Sequence, residues 1–494
     1  MASTFANNAT NWYVRTDGNA LNGCGFDSTR SGAGTNYSDQ AAPQWSSTTG
    51  TCAVASPTVF IDSSMTFTAS IIGNVLRSSV ATGGTAAALD YFVVVGYTNA
   101  TTITLDRAMA VTTNITAMTY RVGGAAATIQ QFAVGGSGTG ATPTLASPCI
   151  PGNTVNIRGS GTQDPSVFDY DLSSGYYQWP KGNNTATLAG GSIKWVGYNG
   201  RPYIKHSGMV GFTNNASFSG IMFIKNIKFV QTVGTWGIGD LHSLFDDRTN
   251  SFYNCIFDAG GFATQILDFG DSANRAGSCV CCEIRNPAGG TAATTGWGIK
   301  HFHGGGFVFG TWIHAQRQHG IVGVGVFGSH IFTLVNANLK YGYNDLNNDG
   351  SKPIPLLFLN CTFDANVSGA MNFATGAIFN NIIANTVFSN HTTAATSALT
   401  FTDAVTVNAQ NYRFIQYNDY FNNTLNFNAI SSVPTWTLNR VVDAGLSGDL
   451  TLDPQYTNAA GGNFTTGTNL SAKGLLWCSN FTATPATVRI GVMI

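Results

Sequence analysis

Asp258, Arg285 and His314 recur through the middle of the chain at steps of 27 and 29 residues. A carboxylate beside a cation is the smallest set that could do acid–base chemistry on a bound sugar, or simply hold one. The same residues also suit a ladder of alternating charge on a parallel sheet. Asp268 and Asp271, close to Arg275, form a second acidic group, and Asp246-Asp247-Arg248 a third. Both are expected in turns between strands, where their oxygens could chelate calcium or bond their own backbone. Asp258, Asp268, Asp271 and Arg285 are therefore the candidate catalytic residues. Glu283 is the sole glutamate, which excludes a catalytic pair of glutamates.

Five of the eight histidines, His301, His303, His314, His319 and His330, fall within thirty residues. In a strand, His301 and His303 share one face, so they are the candidate metal pair; solvent-facing strand histidines are the plainer reading. Tyr170, Tyr176, Tyr177 and Trp179 cluster among Asp164, Asp169 and Asp171. Such aromatics stack on sugar faces or anchor a subunit interface. No motif calls for a cofactor. Cys255, Cys282 and Cys361 read as core residues, and Cys24 and Cys52 could pair.

These residues need elements that repeat in register. From about residue 220 the pattern Asn-x-x-apolar returns at Asn226, Asn254, Asn336, Asn360, Asn385 and Asn418, with degenerate copies at Cys281 and Gly310. The apolar anchors Phe229, Phe257, Ile284, Ile313, Leu339, Phe363, Phe388 and Phe421 are 24 to 33 residues apart. That period fits one coil of three short strands and three turns, and is too short for a four-stranded propeller blade. Period-2 alternation points the anchors inward with a small column two residues earlier, and Lys228, Glu283, Trp312, Asn338, Thr362 and Tyr420 outward. Asparagine suits the corner because it tolerates a left-handed backbone and its amides can stack from coil to coil.

Composition agrees. Charged residues make up 10% of the 494, hydrophobic ones 43%, and glycine numbers 58. Long surface helices lack the charged residues they need, while Thr, Val, Ile, Phe and Tyr favour strands. A net charge of −1 with no basic block argues against nucleic-acid binding, and no apolar run is long enough to span a membrane as a helix. The opening residues lack the pattern of a secretory signal, and nine cysteines form no disulfide framework, so folding in a reducing cytoplasm is expected. The expected fold is all-β, a right-handed parallel β-helix solenoid with a small antiparallel β insertion near the N-terminus. Its expected divisions are a cap and first strand over 1–56, the insertion and linker over 57–147, the helix over 148–478 and a tail over 479–494.

The opening Trp12-Tyr-Val-Arg-Thr-Asp-Gly18 with Asn22-Gly-Cys-Gly-Phe26 resembles the first strand and turn of pectate-lyase-like β-helix proteins. The close, from Asp453-Pro-Gln-Tyr456 to Lys473-Gly474, resembles their terminal coil. Together with the strands of 71–107, the chain looks most like β-helix proteins encoded by tailed bacteriophages. That resemblance implies a virion structural protein: a spike, fibre, baseplate or capsid-decorating component that assembles in the host cytoplasm. The expected partners are other virion proteins, further copies of the chain in a homo-oligomer (a trimer), and a host polysaccharide, with no nucleic acid and no membrane. The alternative is a polysaccharide lyase or glycoside hydrolase of the same class, although no catalytic motif of either maps onto this chain.

Overall fold

Strand-forming residues broken by Gly, Asn and Thr turns give an all-β protein with several parallel sheets; among the described residues there is no α-helix. The computed structural model describes residues 10–82, 90–129, 132, 134–136, 149, 152–161, 168–172, 176–178, 193–206, 210–211, 222–231, 249–260, 265–269, 276–287, 296–302, 306–324, 328–345, 356–373, 382–393, 397–401, 414–429 and 450–456. The chain divides into two compact units, Met1–Ile204 with Ser217–Asn226, and Lys205–Ala216 with Ile227–Ile494.

In the first unit, Asn11–Val14, Thr154–Arg158, Ile193–Tyr198 and Met222–Lys225 stack in parallel. Their inward column reads Trp12, Val155, Trp195, Ile224, all buried. Between the first two of these strands the chain builds a closed antiparallel barrel from Trp45–Cys52, Val59–Ile61, Thr102–Leu105, Tyr91–Asn99, Val75–Thr82 and Ile115–Val122. Alternation in Ile115–Val122 sends Ile115, Met118, Tyr120 and Val122 into its core. Gly50 is required there, because a Cβ would lie 2.3 Å from the Phe60 ring. Asp62 is buried but fully engaged, accepting from Thr49, Ser64 and the Tyr120 hydroxyl.

The second unit consists of three parallel sheets. Seven successive repeats each give one strand to each sheet, from Thr249–Tyr253, Ile256–Asp258 and Gln265–Phe269 through to Phe414–Gln416, Asp419–Phe421 and Leu425–Ala429. The second sheet also takes in the preceding strand Lys228–Gln231, and from there its anchor column is Phe229, Phe257, Ile284, Ile313, Val335, Phe363, Phe388, Tyr420. Two expected anchors are thus corrected: Val335 replaces Leu339, which is exposed, and Tyr420 replaces Phe421.

The corner before this sheet explains both shifts. It is left-handed in every repeat, at Asn254, Cys281, Gly310, Phe332, Asn360, Asn385 and Tyr417, with φ between 50° and 60°. Each of the first five corner N–H groups donates to a carbonyl of the next repeat, as Asn254 does to Val280 and Phe332 to Leu359. At Phe332 that interlocking bond holds a conformation costing a non-glycine residue about 1–2 kcal/mol. Asn336 and Asn418, expected at the corner, lie elsewhere: Asn336 in the strand Leu334–Asn336, and Asn418 in the inward small column.

Stacked amides do occur, at the second corner, after the strand. Gln316, Asn338, Asn366, His391 and Asn423 follow one another up the stack. The Gln316 N–H donates to Asn338 Oδ1 (2.9 Å), Asn338 Nδ2 to Asn366 Oδ1 (2.7 Å), and Asn366 Nδ2 meets His391 Nε2 (3.4 Å). His391 Nδ1 lies 2.8 Å from Asn423 Oδ1. Asn338, expected to face outward, is buried within this ladder.

Candidate functional site

Alternation in the short strands of the second sheet presents two columns on its outer face. One is Asp258, Arg285, His314, Asn336, Asp364, Ser389. The other, two residues earlier in each strand, is Ile256, Glu283, Trp312, Leu334, Thr362, Val387, Asp419. Asp258, Arg285 and His314 are register neighbours, as their spacing predicts, and Asn336 stands next in the column.

Arg285 organises the cluster. Its Nε and Nη2 donate to Asp258 Oδ2 at 2.9 and 2.6 Å, and its Nη1 donates to Glu283 Oε1 at 3.1 Å. The other Asp258 oxygen accepts the Gly260 N–H. His314 Nε2 lies 3.1 Å from Glu283 Oε1, and its ring stacks on Trp312 with centroids 3.8 Å apart. Trp312 in turn donates to Asn336 Oδ1 at 2.7 Å. The Arg285 side chain is 31% exposed, whereas Glu283 is 5% exposed. Glu283 and Trp312 belong to the site although they were expected only as outer-face residues. Their signal was a position two residues before Arg285 and His314, which places each pair on one face.

Farther along the same face, Asp364 Oδ1 accepts from Ser389 Oγ and Asn390 Nδ2, both at 2.7 Å. Burial raises its carboxyl above the ordinary range, opposed by those two bonds. The segment Leu450–Tyr456 lies over this part of the sheet. Leu450 donates to the Asn418 carbonyl and accepts from Tyr420 N, Leu452 N donates to Asp419 Oδ1, and Tyr456 Oη sits 2.7 Å from Ser389 Oγ while its ring packs on Leu334. This strap accounts for outward residues such as Leu334 being buried.

Of the remaining candidates, none of those among the described residues joins the cluster. Asp268 lies in the strand Gln265–Phe269 of the third sheet, not in a turn, with its backbone opposite Lys300. Asp271, His303 and Trp179 lie outside the described residues. Tyr176 and Tyr177 lie in the strand Tyr176–Gln178, paired with Val134–Gly136. Tyr170 is no exposed platform: it is buried, and its hydroxyl donates to the carbonyls of Arg158 and Val14 at 2.9 and 3.3 Å. Burial also explains its raised pKa. His301 is likewise no solvent-facing histidine but a fully buried one. Cys24 and Cys52 are both free and buried. Among the described residues no three or more His, Cys, Asp or Glu side chains converge as a metal site.

Chemically, Asp258 and Glu283 are both engaged by one guanidinium, and each Asp258 oxygen already has a donor. On the outside the Arg285 guanidinium, 31% exposed, lies next to the Trp312–His314 stack, and its charge is met by the two carboxylates. No protein-family model matches the chain, and no curated protein matches it.

Proposed function

We propose that the chain is a right-handed parallel β-helix that serves as a structural component of a tailed-phage virion, contacting host glycans through its surface. The repeat of one strand per sheet over seven turns of chain supports the helix, as does the resemblance of the opening and closing segments. A non-catalytic role rests on one observation: the carboxylates of the outer-face cluster are bound to their own Arg285. Inverting and retaining glycosidases both need two carboxyl groups facing the substrate. A stacked solenoid with few charges suits a part that must persist outside a cell.

Mass spectrometry of density-purified phage particles tests this role. The chain should band with the particles at constant stoichiometry; its confinement to the soluble fraction of the lysate would refute it. A panel of acidic and neutral bacterial polysaccharides, incubated with the purified chain with and without calcium, should keep its length. Shortening that disappears in Asp258→Asn would instead identify a lyase or hydrolase.

A further inference from the structure

The interior of the second unit contains an anomaly that the outer-face reading does not use. His301, in the third-sheet strand Trp297–Phe302, and His330, in the first-sheet strand Gly328–Ile331, are both fully buried. Their rings meet edge to face with centroids 5.1 Å apart. Among the described residues none of the four ring nitrogens has a hydrogen-bond partner. The positions belong to apolar columns: His330 stands between Val308 and Phe358, and stacks on the latter at 4.8 Å. His301 follows Phe269, 5.5 Å from its ring, and precedes Gly323. Glycine makes room for the pair, since a Cβ at Gly306 would lie 2.1 Å from the His301 ring.

An imidazole in such a place costs stability relative to Phe or Leu, because each unmet polar atom loses its hydration. His319 and His391, elsewhere in the unit, show the ordinary alternative, with ring nitrogens that meet backbone or side-chain partners. We propose that the His301–His330 pair is an acid-sensitive joint: neutral and closed near pH 7, it opens the repeat stack locally when either ring takes a proton.

Two positive charges 5.1 Å apart in an apolar core have no counterion within the pair. Burial lowers His301 to about 4 and His330 well below its ordinary value, and His301 lowers His330 further. Titratable groups on the strands packed around them are Cys279, Lys300, Tyr341, Tyr343 and Asp345, with Asp268 on the strand beside His301. None of these offsets the lowering of either ring. Because the folded pKa is depressed, the stabilisation is present above 6.5 and is lost as the pH falls toward 4.

Hydrogen–deuterium exchange of the full chain, corrected for intrinsic rates, measures the opening. Between pH 7 and pH 5, protection of peptides covering Trp297–Phe302 and Gly328–Ile331 should fall about twentyfold from His301 alone, given 6.5 open and about 4 closed. Protection of the barrel strand Ile115–Val122 should hold. Replacing the pair, His301→Leu with His330→Phe, should abolish the fall. Equal protection at both pH values in the wild-type chain overturns the proposal even if the variant fails to fold, and so does an undiminished fall in a folded variant.

Discussion

At the scale of single residues, the buried amide ladder does what a hydrophobic ladder cannot: it satisfies backbone groups at a corner where the chain turns inside the stack. Asn366 illustrates this, accepting from Asn338 and donating to the Val335 carbonyl at 3.1 Å. Asn366→Ala leaves both partners unmet, and urea titration should show a loss of about 1–3 kcal/mol. The ladder was legible in the sequence as a tendency of Asn to recur, but not in its place. Asn336 and Asn418 matched the repeat by type, while Phe332 and Tyr417 took the left-handed corners; at Phe332 the interlocking backbone bond to Leu359 outweighs side-chain preference. Nothing in the identity of a Phe announces a positive φ.

At the scale of elements, the three-residue strands of the second sheet decide which charges meet. Asp258, Arg285 and His314 were readable as neighbours because the repeats between them are regular in length. The columns drifted after His314, where the next repeat is shorter and the anchor falls at Val335. Removing the hub should uncover two carboxylates on one face. Arg285→Met is expected to cost about 2 kcal/mol in thermal or urea unfolding, less than a wholly buried pair because the guanidinium is 31% exposed. Asp258→Asn, which leaves Glu283 still paired, should cost less than half of that. Equal losses from the two substitutions would mean that Glu283 does not depend on Arg285.

At the scale of the whole molecule, the all-β class and the parallel repeat followed from composition and period. The six-stranded barrel was visible only as a set of strands, since closure depends on pairings such as Trp45 with Val122 that no local pattern reveals. The buried histidines of the second unit all act in one sense as the pH falls. His301, His319 and His391 each fall to about 4 through burial. Their folded pKa values are depressed, so their contribution is complete above about 6.5 and fades as the pH drops toward 4. Asp364 acts in the opposite sense: its raised carboxyl pKa means that acidification removes a cost. Four lowered imidazoles, His330 included, against the raised carboxyls of Asp364 and Asp106 predict a midpoint of urea unfolding that falls from pH 7 to pH 4.5. A flat profile would show that the imidazoles remain hydrated.

The strap Leu450–Tyr456 also answers a problem of polymer growth. A parallel stack ends in a strand whose N–H and C=O groups can recruit another chain, and among the described residues Asp419–Phe421 is the last strand of the second sheet. Leu450 occupies the next place, bridging Asp419 in parallel and accepting from Tyr420 N. Among the described residues it therefore works as a chain terminator for that strand, taking the Tyr420 N–H and the Asn418 carbonyl that would otherwise template a further one. Leu450→Pro removes the N–H given to Asn418, and light scattering should then show concentration-dependent end-to-end filaments where the wild-type chain stays at constant mass.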